Sequence, residues 1–489
     1  MTIRMLKLDQ NQQLIIRCSD QYYSYDAYHI TAEFFPEKVR AGLIKQETDP
    51  EMDMLVHITA PPQELFRFSV PKTRTDRKQI KYEMGCSLCD TLSELTEKKL
   101  PWGILTGVRP TKIARTWLEE GMSQKACIKR FQEELKTSTE RAELAVSVAE
   151  KERELIDKIE AAGTDGLCIY VHIPFCPSRC LYCSFASVPA DRFGDRIDAY
   201  LDALQKEMTA IAPLVKDRPV SCIYVGGGTP TVLNENQLNR LCSMIRSCFI
   251  HDRSSEVQNT VLEWTVEAGR PDTINSEKLG ILKKAGVTRI SINPQTMHDA
   301  TLERIGRGHT TAQVRDAFAA ARYAEFDNIN MDLIAGLDGE SLEDFKETLA
   351  DVEQLDPDSV TVHALAVKRA SRLGQEKDRP LPAADLMTNM ADEARIWAEV
   401  QELYPYYLYR QKNMSGNGEN IGFSKPGKEG LYNILIMEEV QDILAFGAGA
   451  VSKLLRCAEG IIRINNVKDV LLYMEQIDEM IKRKEEVLC

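Results

Sequence analysis

The chain has 489 residues, too many for one ordinary hydrophobic core, so two or three domains are expected. Its 43% hydrophobic and 28% charged residues fit a globular protein, and a formal net charge of −13 makes the phosphate backbone of a nucleic acid an unfavourable partner. Met1–Asp9 holds no uninterrupted apolar leader and no stretch reaches membrane-spanning length, which predicts a cytoplasmic protein with no membrane partner and with reduced thiols.

Residues 1–75 carry short alternating runs, Leu14-Ile-Ile-Arg-Cys18 and Met54-Leu-Val-His-Ile58, followed by a break at Pro61-Pro62. Alternation with turn residues between predicts a small α+β domain. Residues 76–160 are rich in Lys, Glu, Leu and Ala, and the apolar spacing across 134–159 predicts a helical segment. Cys86 and Cys89 lie in this part. With Cys18 or Cys127 they would make half of an auxiliary metal site, but a lone pair spaced by two residues reads first as ordinary thiols.

From 165 to 370 the rhythm changes. Strand-length apolar runs recur at 167–173, 220–225, 260–267, 287–293, 328–334 and 358–364, with helix-length segments between them. One such segment opens on Ser341 and Asp344 as a capping box and sets Leu342, Phe345, Leu349 and Val352 on one face. Six alternating units predict an α/β fold, a parallel sheet wrapped by helices and analogous to a partial (β/α)6 barrel. In such folds the chemistry gathers at the carboxyl ends of the strands. Residues 371–489 carry an amphipathic helix with Met387, Met390, Trp397 and Val400, then a Tyr- and Gly-rich stretch. They are expected to form a C-terminal domain closing one side of the barrel.

Cys176, Cys180 and Cys183 follow the first run directly, spaced by three and then two residues. Thiolates so spaced can converge on one iron–sulfur cluster; three ligands leave one iron of a four-iron cluster open. An open iron can chelate the amine and carboxylate of S-adenosylmethionine. Zinc would want a fourth Cys or His nearby, and disulfides are disfavoured in a reducing compartment. Gly226-Gly-Gly-Thr229 follows the second run, where glycines let backbone approach a ligand. It matches neither a phosphate loop nor a dinucleotide fingerprint. Glu267 ends the third run, placed to accept hydrogen bonds from an ammonium group. Gln295 and Arg307 follow the fourth, and Asp332 interrupts the fifth, an expensive position for an acid that is neither paired nor functional. Lys368, Arg369, Arg410 and Lys412 offer positive charge for a carboxylate-rich ligand.

The phrase Tyr170-Val-His-Ile-Pro-Phe-Cys176 and the cysteine spacing resemble the signature of the radical S-adenosylmethionine enzymes. Within them the chain is similar to the oxygen-independent coproporphyrinogen III dehydrogenase family, whose relatives include heme chaperones. Matches recur from about residue 167 to about 452, and Gly107-Val-Arg-Pro-Thr-Lys-Ile113 resembles the HemZ branch. The resemblance implies a partial (β/α)6 radical SAM barrel with an N-terminal α+β and helical extension and a C-terminal α/β closing domain. It implies a 4Fe-4S cluster on Cys176, Cys180 and Cys183 and two molecules of S-adenosylmethionine. Tyr170, Gly227, Glu267 and Val451 match positions for the first molecule, and Gly226, Gly228 and Thr229 belong to the same glycine-rich contact. Gln295, Arg307, Asp332 and Ala364 match positions for the second, while Tyr182 takes the aromatic position beside the adenine. The implied reaction converts propionates of coproporphyrinogen III to vinyl groups, giving protoporphyrinogen IX in oxygen-independent heme biosynthesis. A tetrapyrrole substrate and a low-potential electron donor such as flavodoxin or ferredoxin are the implied partners.

Two departures bear on function. The dehydrogenase group with the best-understood mechanism has a fourth cysteine two residues beyond the third, and here that position is Phe185. The chaperones also lack it but carry a His-Asn phrase near the C-terminal region; here Leu431-Tyr-Asn433 puts Tyr432 where the heme-ligating histidine would stand. Tyr432 is therefore the candidate catalytic group toward the substrate, with Tyr182, close to the cluster cysteines in sequence, as the other candidate for the missing thiol's role. Two other readings stay open: a heme-binding chaperone, and a radical enzyme that opens the heme ring as a methyltransferase.

Overall fold

The computed structural model describes the chain apart from residues 1–7, 10, 72, 108, 162–165, 195, 251–260, 369, 377–381, 411–417, 458–459 and 489. The chain falls into two compact units, Met1–Glu150 with Pro382–Thr388 and Leu408–Glu419, and Lys151–Leu381 with Asn389–Tyr407 and Asn420–Cys489. The four-part division expected at 75, 160 and 370 is finer than these two units.

In the first unit a four-stranded sheet runs in the order Ile44–Thr48, Leu14–Cys18, Val56–Ala60, Gln63–Phe68. Alternation in two of these strands buries Leu14, Ile16, Cys18, Val56 and Ile58. They pack with Ala27, Ile30 and Phe34 of helix Gln21–Phe34 and with Met84, Leu88 and Cys89 of helix Arg77–Thr96. Cys89 is thus a core residue, and burial pushes its thiol up to about 11. Cys86 points its thiol at the Glu134 carbonyl, 3.8 Å away.

In the second unit the strands Leu167–Ile173, Val220–Gly227, Glu263–Glu267, Arg289–Ser291, Ile329–Ala335 and Ser359–Ala364 lie side by side in chain order, all parallel. Strands covered on both faces read as nearly continuous apolar runs, which is why they stood out in the sequence. Helices fill the crossovers, among them Arg196–Ile211, Glu235–Phe249, Thr311–Tyr323 and Leu342–Glu353. The capping box of Ser341 and Asp344 is present. Among the described residues the wall does not close on itself. Past the first strand lie Asp442–Phe446, parallel to it, then Val451–Cys457 and Gly460–Asn465. Past the sixth lies the antiparallel Glu419–Ser424.

Two devices fix the ends of this barrel. At the amino ends, the Glu263 carboxylate accepts from the first N–H groups of helix Leu431–Glu438, at 2.8 Å from Leu431 and 3.2 Å from Tyr432. Tyr432 and Leu435 of that helix pack on Cys168, Cys222 and Ile443, near the starts of their strands. At the carboxyl ends, the turn after Phe446 is held by Glu207, which accepts from Gly447 N–H at 3.0 Å, Asn466 at 2.8 Å and Tyr473 at 2.6 Å. Lys484 pairs with Glu207, and both side chains are fully buried. No helix among the described residues is long and apolar enough to cross a membrane.

Candidate active site

The cysteine loop leaves the carboxyl end of the first strand and is pinned on both sides. Phe175–Cys176 pairs with Val188–Pro189, Leu181 N–H donates to the Ile305 carbonyl at 2.9 Å, and Leu373 N–H to the Leu181 carbonyl at 2.9 Å. Burial raises the Cys176 and Cys183 thiols, and the charges of neighbouring cysteines add to it. Thiols raised by burial ionise when a positive partner such as a metal cluster binds them. His172 is held beside the glycine run, with its Nδ1 3.0 Å from the Tyr170 hydroxyl and its ring against Gly227, and burial lowers it to about 4. Three thiols without a fourth local donor fit a four-iron cluster with one corner open.

The glycine run packs directly under this loop. Gly228 N–H donates to the Ile173 carbonyl at 2.8 Å, Thr229 N–H to the Phe175 carbonyl at 2.7 Å, and the Thr229 hydroxyl reaches Cys176 Sγ at 3.6 Å. A Cβ on Gly228 would stand 2.5 Å from the Phe175 carbonyl, and one on Gly226 2.7 Å from Glu267 Oε1. Gly227 has φ of 108° and backs onto the His172 ring. Only glycine satisfies these contacts.

Glu267, at the end of the third strand, accepts from the Tyr224 hydroxyl at 2.5 Å. Burial raises its carboxyl to about 7, against the lowering effect of that hydrogen bond, and the Asp332 charge adds to the rise. Asp332 accepts from Asn330 Nδ2 at 2.7 Å and lies 3.8 Å from His363 Nε2. Burial alone would raise it, but His363 and Asn330 hold it below the ordinary carboxylate range. Gln295 is buried with φ of 73°, a left-handed backbone uncommon for a side-chain-bearing residue, and its Oε1 has no hydrogen-bond partner. The backbone is locked there by Gln295 N–H to the Asp332 carbonyl at 2.9 Å and Ile334 N–H to the Gln295 carbonyl at 3.0 Å. An orphaned buried amide oxygen beside Asp332 suits a ligand that brings its own donor.

Arg307 ties the loop to the sheet. It donates to the Tyr182 hydroxyl at 3.0 Å and to the Gly269 and Asn293 carbonyls at 2.6 Å each, with Cys180 Sγ at 4.0 Å. Ala364 closes the sixth strand, where Leu365 N–H donates to the Ala335 carbonyl at 3.0 Å. Val451 opens the strand after the Gly447 turn, and that turn packs against the His172 carbonyl.

Most expected residues therefore gather at the carboxyl ends of the strands. Tyr432 does not. It sits at the amino ends, stacked on Tyr224 at 4.5 Å and on Tyr170 at 6.1 Å between ring centroids, and burial pushes its phenol well up. Tyr224 stands between it and Glu267. Arg410, expected to meet a carboxylate-rich ligand, is instead buried in the first unit, donating to Glu33 at 3.0 Å and to the Leu105 carbonyl. Lys368 is exposed, and Arg369 and Lys412 lie outside the described residues. Tyr224, Asn330 and His363 went unnamed in the sequence reading, although period-two alternation along their strands puts each on the face that carries Glu267 and Asp332.

The radical SAM superfamily matches residues 170–352. The oxygen-independent coproporphyrinogen-III oxidase-like protein HemZ of Bacillus subtilis (strain 168) is 38% identical over 419 residues, covering 84% of this chain and 82% of the relative. The heme chaperone HemW of the same organism is 33% identical over 313 residues, covering 63% of this chain and 76% of the relative. Among solved structures, coproporphyrinogen III oxidase (HemN) from Escherichia coli, a radical SAM enzyme, superposes with a TM-score of 0.52 at 26% identity, covering 66% of this chain and 72% of that one. Membership at this level implies the 4Fe-4S cluster and S-adenosylmethionine that the thiols and glycines accommodate. The chain belongs to the radical SAM oxygen-independent coproporphyrinogen III dehydrogenase family, in its HemZ-like branch.

Proposed function

We propose that this chain is a radical enzyme acting on a tetrapyrrole, and that it oxidatively decarboxylates propionates of coproporphyrinogen III to the vinyl groups of protoporphyrinogen IX. The observation that carries the enzyme reading is the joint placement of the cysteine loop, the glycine run and Glu267 at one end of the barrel. The relatives named coproporphyrinogen oxidases support the substrate. When bound, the cluster and S-adenosylmethionine supply the electron transfer and the radical that removes a hydrogen atom from the substrate. Glu267, oriented by Tyr224, accepts from the cofactor's amine, and Gly226–Thr229 offer backbone close to it. Arg307 holds Tyr182 at the adenine position. A second S-adenosylmethionine belongs to the proposal at Gln295, Arg307, Asp332 and Ala364, and the orphaned Gln295 oxygen supports it. Its electron donor is a flavodoxin or ferredoxin.

The chaperone reading needs Tyr432 to ligate heme iron as a phenolate. Tyr432 is buried and stacked on Tyr224 and Tyr170, which opposes that role. Anaerobic incubation of the reconstituted protein with coproporphyrinogen III and, separately, with heme decides the matter. Vinyl products support the proposal. Ring-opened heme, or stable heme binding with coproporphyrinogen untouched, overturns it.

A further inference from the structure

A substrate bearing several carboxylates needs a cation at the carboxyl ends of the barrel, where Glu267 and Asp332 already place negative charge. The six parallel strands contain three basic residues, His172, Arg289 and His363. His172 is neutral, lowered by burial to about 4. Arg289 is the first residue of its strand, at the far end, and donates to Ser359, the first residue of the sixth strand, at 3.0 Å. Among the described residues beyond the strands, Arg307 and Arg270 are committed as well, Arg179 donates to the Ala370 carbonyl, and Lys368 is exposed. Arg307 is taken up by Tyr182 and two carbonyls. Arg270 makes two bonds of 3.0 Å to Asp272 and reaches Ser178 at 3.1 Å.

His363 differs from all of these. It is the penultimate residue of the sixth strand, and its Nδ1 lies 3.2 Å from Oδ1 of Asn420, a fully buried side chain. That contact orients the ring and leaves Nε2 as the second donor of an imidazolium. Nε2 lies 3.8 Å from Asp332 Oδ2, close enough to feel its charge but beyond hydrogen-bonding length, and the side chain keeps 28% of its surface open. Asp332 itself is served by Asn330.

We propose that His363 is a substrate-binding residue, whose imidazolium draws a propionate carboxylate of the tetrapyrrole to its Nε2 edge, which Asp332 also faces at 3.8 Å, while Asn420 orients the ring from Nδ1. The inference rests on the tetrapyrrole reading and adds the group that recognises the acid side chains. Burial would lower the imidazole, but Asp332, then Asn420 and Glu267, raise it above its ordinary value. The groups facing it are Asp332 on the fifth strand, Glu267 on the third and Asn420 on the neighbouring antiparallel strand. A raised base is cationic below its midpoint, so carboxylate binding is lost as pH climbs past that midpoint.

The test uses the reconstituted full chain under anaerobic conditions, with coproporphyrinogen III and its tetramethyl ester as probes in equilibrium dialysis. His363→Gln keeps a neutral side chain of similar reach, and His363→Lys restores a charge. The Gln variant should bind the tetra-acid about tenfold more weakly, the size of a lost hydrogen bond between charged groups. The Lys variant should recover part of that loss. The wild type should lose affinity for the acid in alkali, and the Gln variant should lack this fall. Iron content should be unchanged in both, which separates substrate binding from misfolding. Wild-type affinity and pH profile in the Gln variant would overturn the inference, as would equal binding of acid and ester by the wild type, and both results leave the tetrapyrrole reading standing. A wild type that binds neither probe refutes the tetrapyrrole reading and this inference with it.

Discussion

Glu267 is where electrostatics makes the sharpest forecast. In the role proposed for it, its carboxyl, raised by burial to about 7, must be ionised to accept from the cofactor's amine. A carboxyl raised this far is neutral below its midpoint, so the competent form is gained as pH rises. About half of the protein carries the ionised form at pH 7 and about one tenth at pH 6, so the apparent dissociation constant of S-adenosylmethionine should rise roughly tenfold for each unit below 7. Above pH 8 it should level off. The 2.5 Å hydrogen bond from Tyr224 lowers the midpoint, and Tyr224→Phe removes it. That variant should show its midpoint displaced upward, weaker binding near neutrality and near-normal binding in alkali. Glu267→Gln should bind weakly, without the component that Tyr224→Phe displaces. Equilibrium binding to the anaerobic, cluster-loaded protein across pH 6 to 9 reads all three, and the difference between variants separates Glu267 from the cofactor's own amine. A wild-type profile identical to that of Glu267→Gln, or a midpoint that moves down in Tyr224→Phe, would refute the reasoning.

Cys176→Ala, Cys180→Ala and Cys183→Ala should each abolish a cluster of about four irons, whereas Cys86→Ala and Cys89→Ala should leave iron content unchanged, as iron analysis after reconstitution will show. Gly228→Ala puts a methyl group 2.5 Å from the Phe175 carbonyl and 2.8 Å from that of Ile173, both backbone. It should cost about 1–3 kcal/mol and lower cluster loading, measured by denaturant unfolding and iron analysis; a fully loaded, equally stable variant would contradict the packing account. Tyr432→Phe keeps the ring stack beneath Tyr224, so it should retain S-adenosylmethionine cleavage and lose no more than about 1.5 kcal/mol of stability. Complete loss of cleavage in that variant would mean that the phenol reaches the cofactor end after all.

The barrel was legible because its signals are local and its strands are buried on both faces. Runs expected at 167–173, 328–334 and 358–364 became strands within a residue or so of those limits. The fourth run fell short, with Arg289–Ser291 standing where 287–293 was expected. The cause lies just beyond it. Gln295 in its left-handed conformation bridges to Leu333 and turns the chain into the site, which ends regular pairing early. The cysteines and glycines were legible for the same reason as the strands, since both motifs are contiguous and follow a strand directly.

Contacts made across long separations were not legible, and they decide which charges are free. Arg410 looked available beside its aromatic neighbours until Glu33, some 377 residues away in sequence, took it. Nothing in the apolar run 358–364 marks out His363; the fold does, by putting Asp332 and Asn420 beside its two ring nitrogens. Tyr432 shows the limit most plainly. Matching it to a chaperone's histidine gives a place along the chain but not an end of the barrel. The end is set by Glu263, whose carboxylate receives the first N–H groups of the helix that Tyr432 begins. Those groups need an acceptor wherever the helix lies, and a buried acid at the start of the third strand supplies one. A helix anchored there sets its first aromatic ring beneath Tyr224, whose hydroxyl donates to Glu267, so under the proposed function Tyr432 reaches the site through the Tyr224 ring.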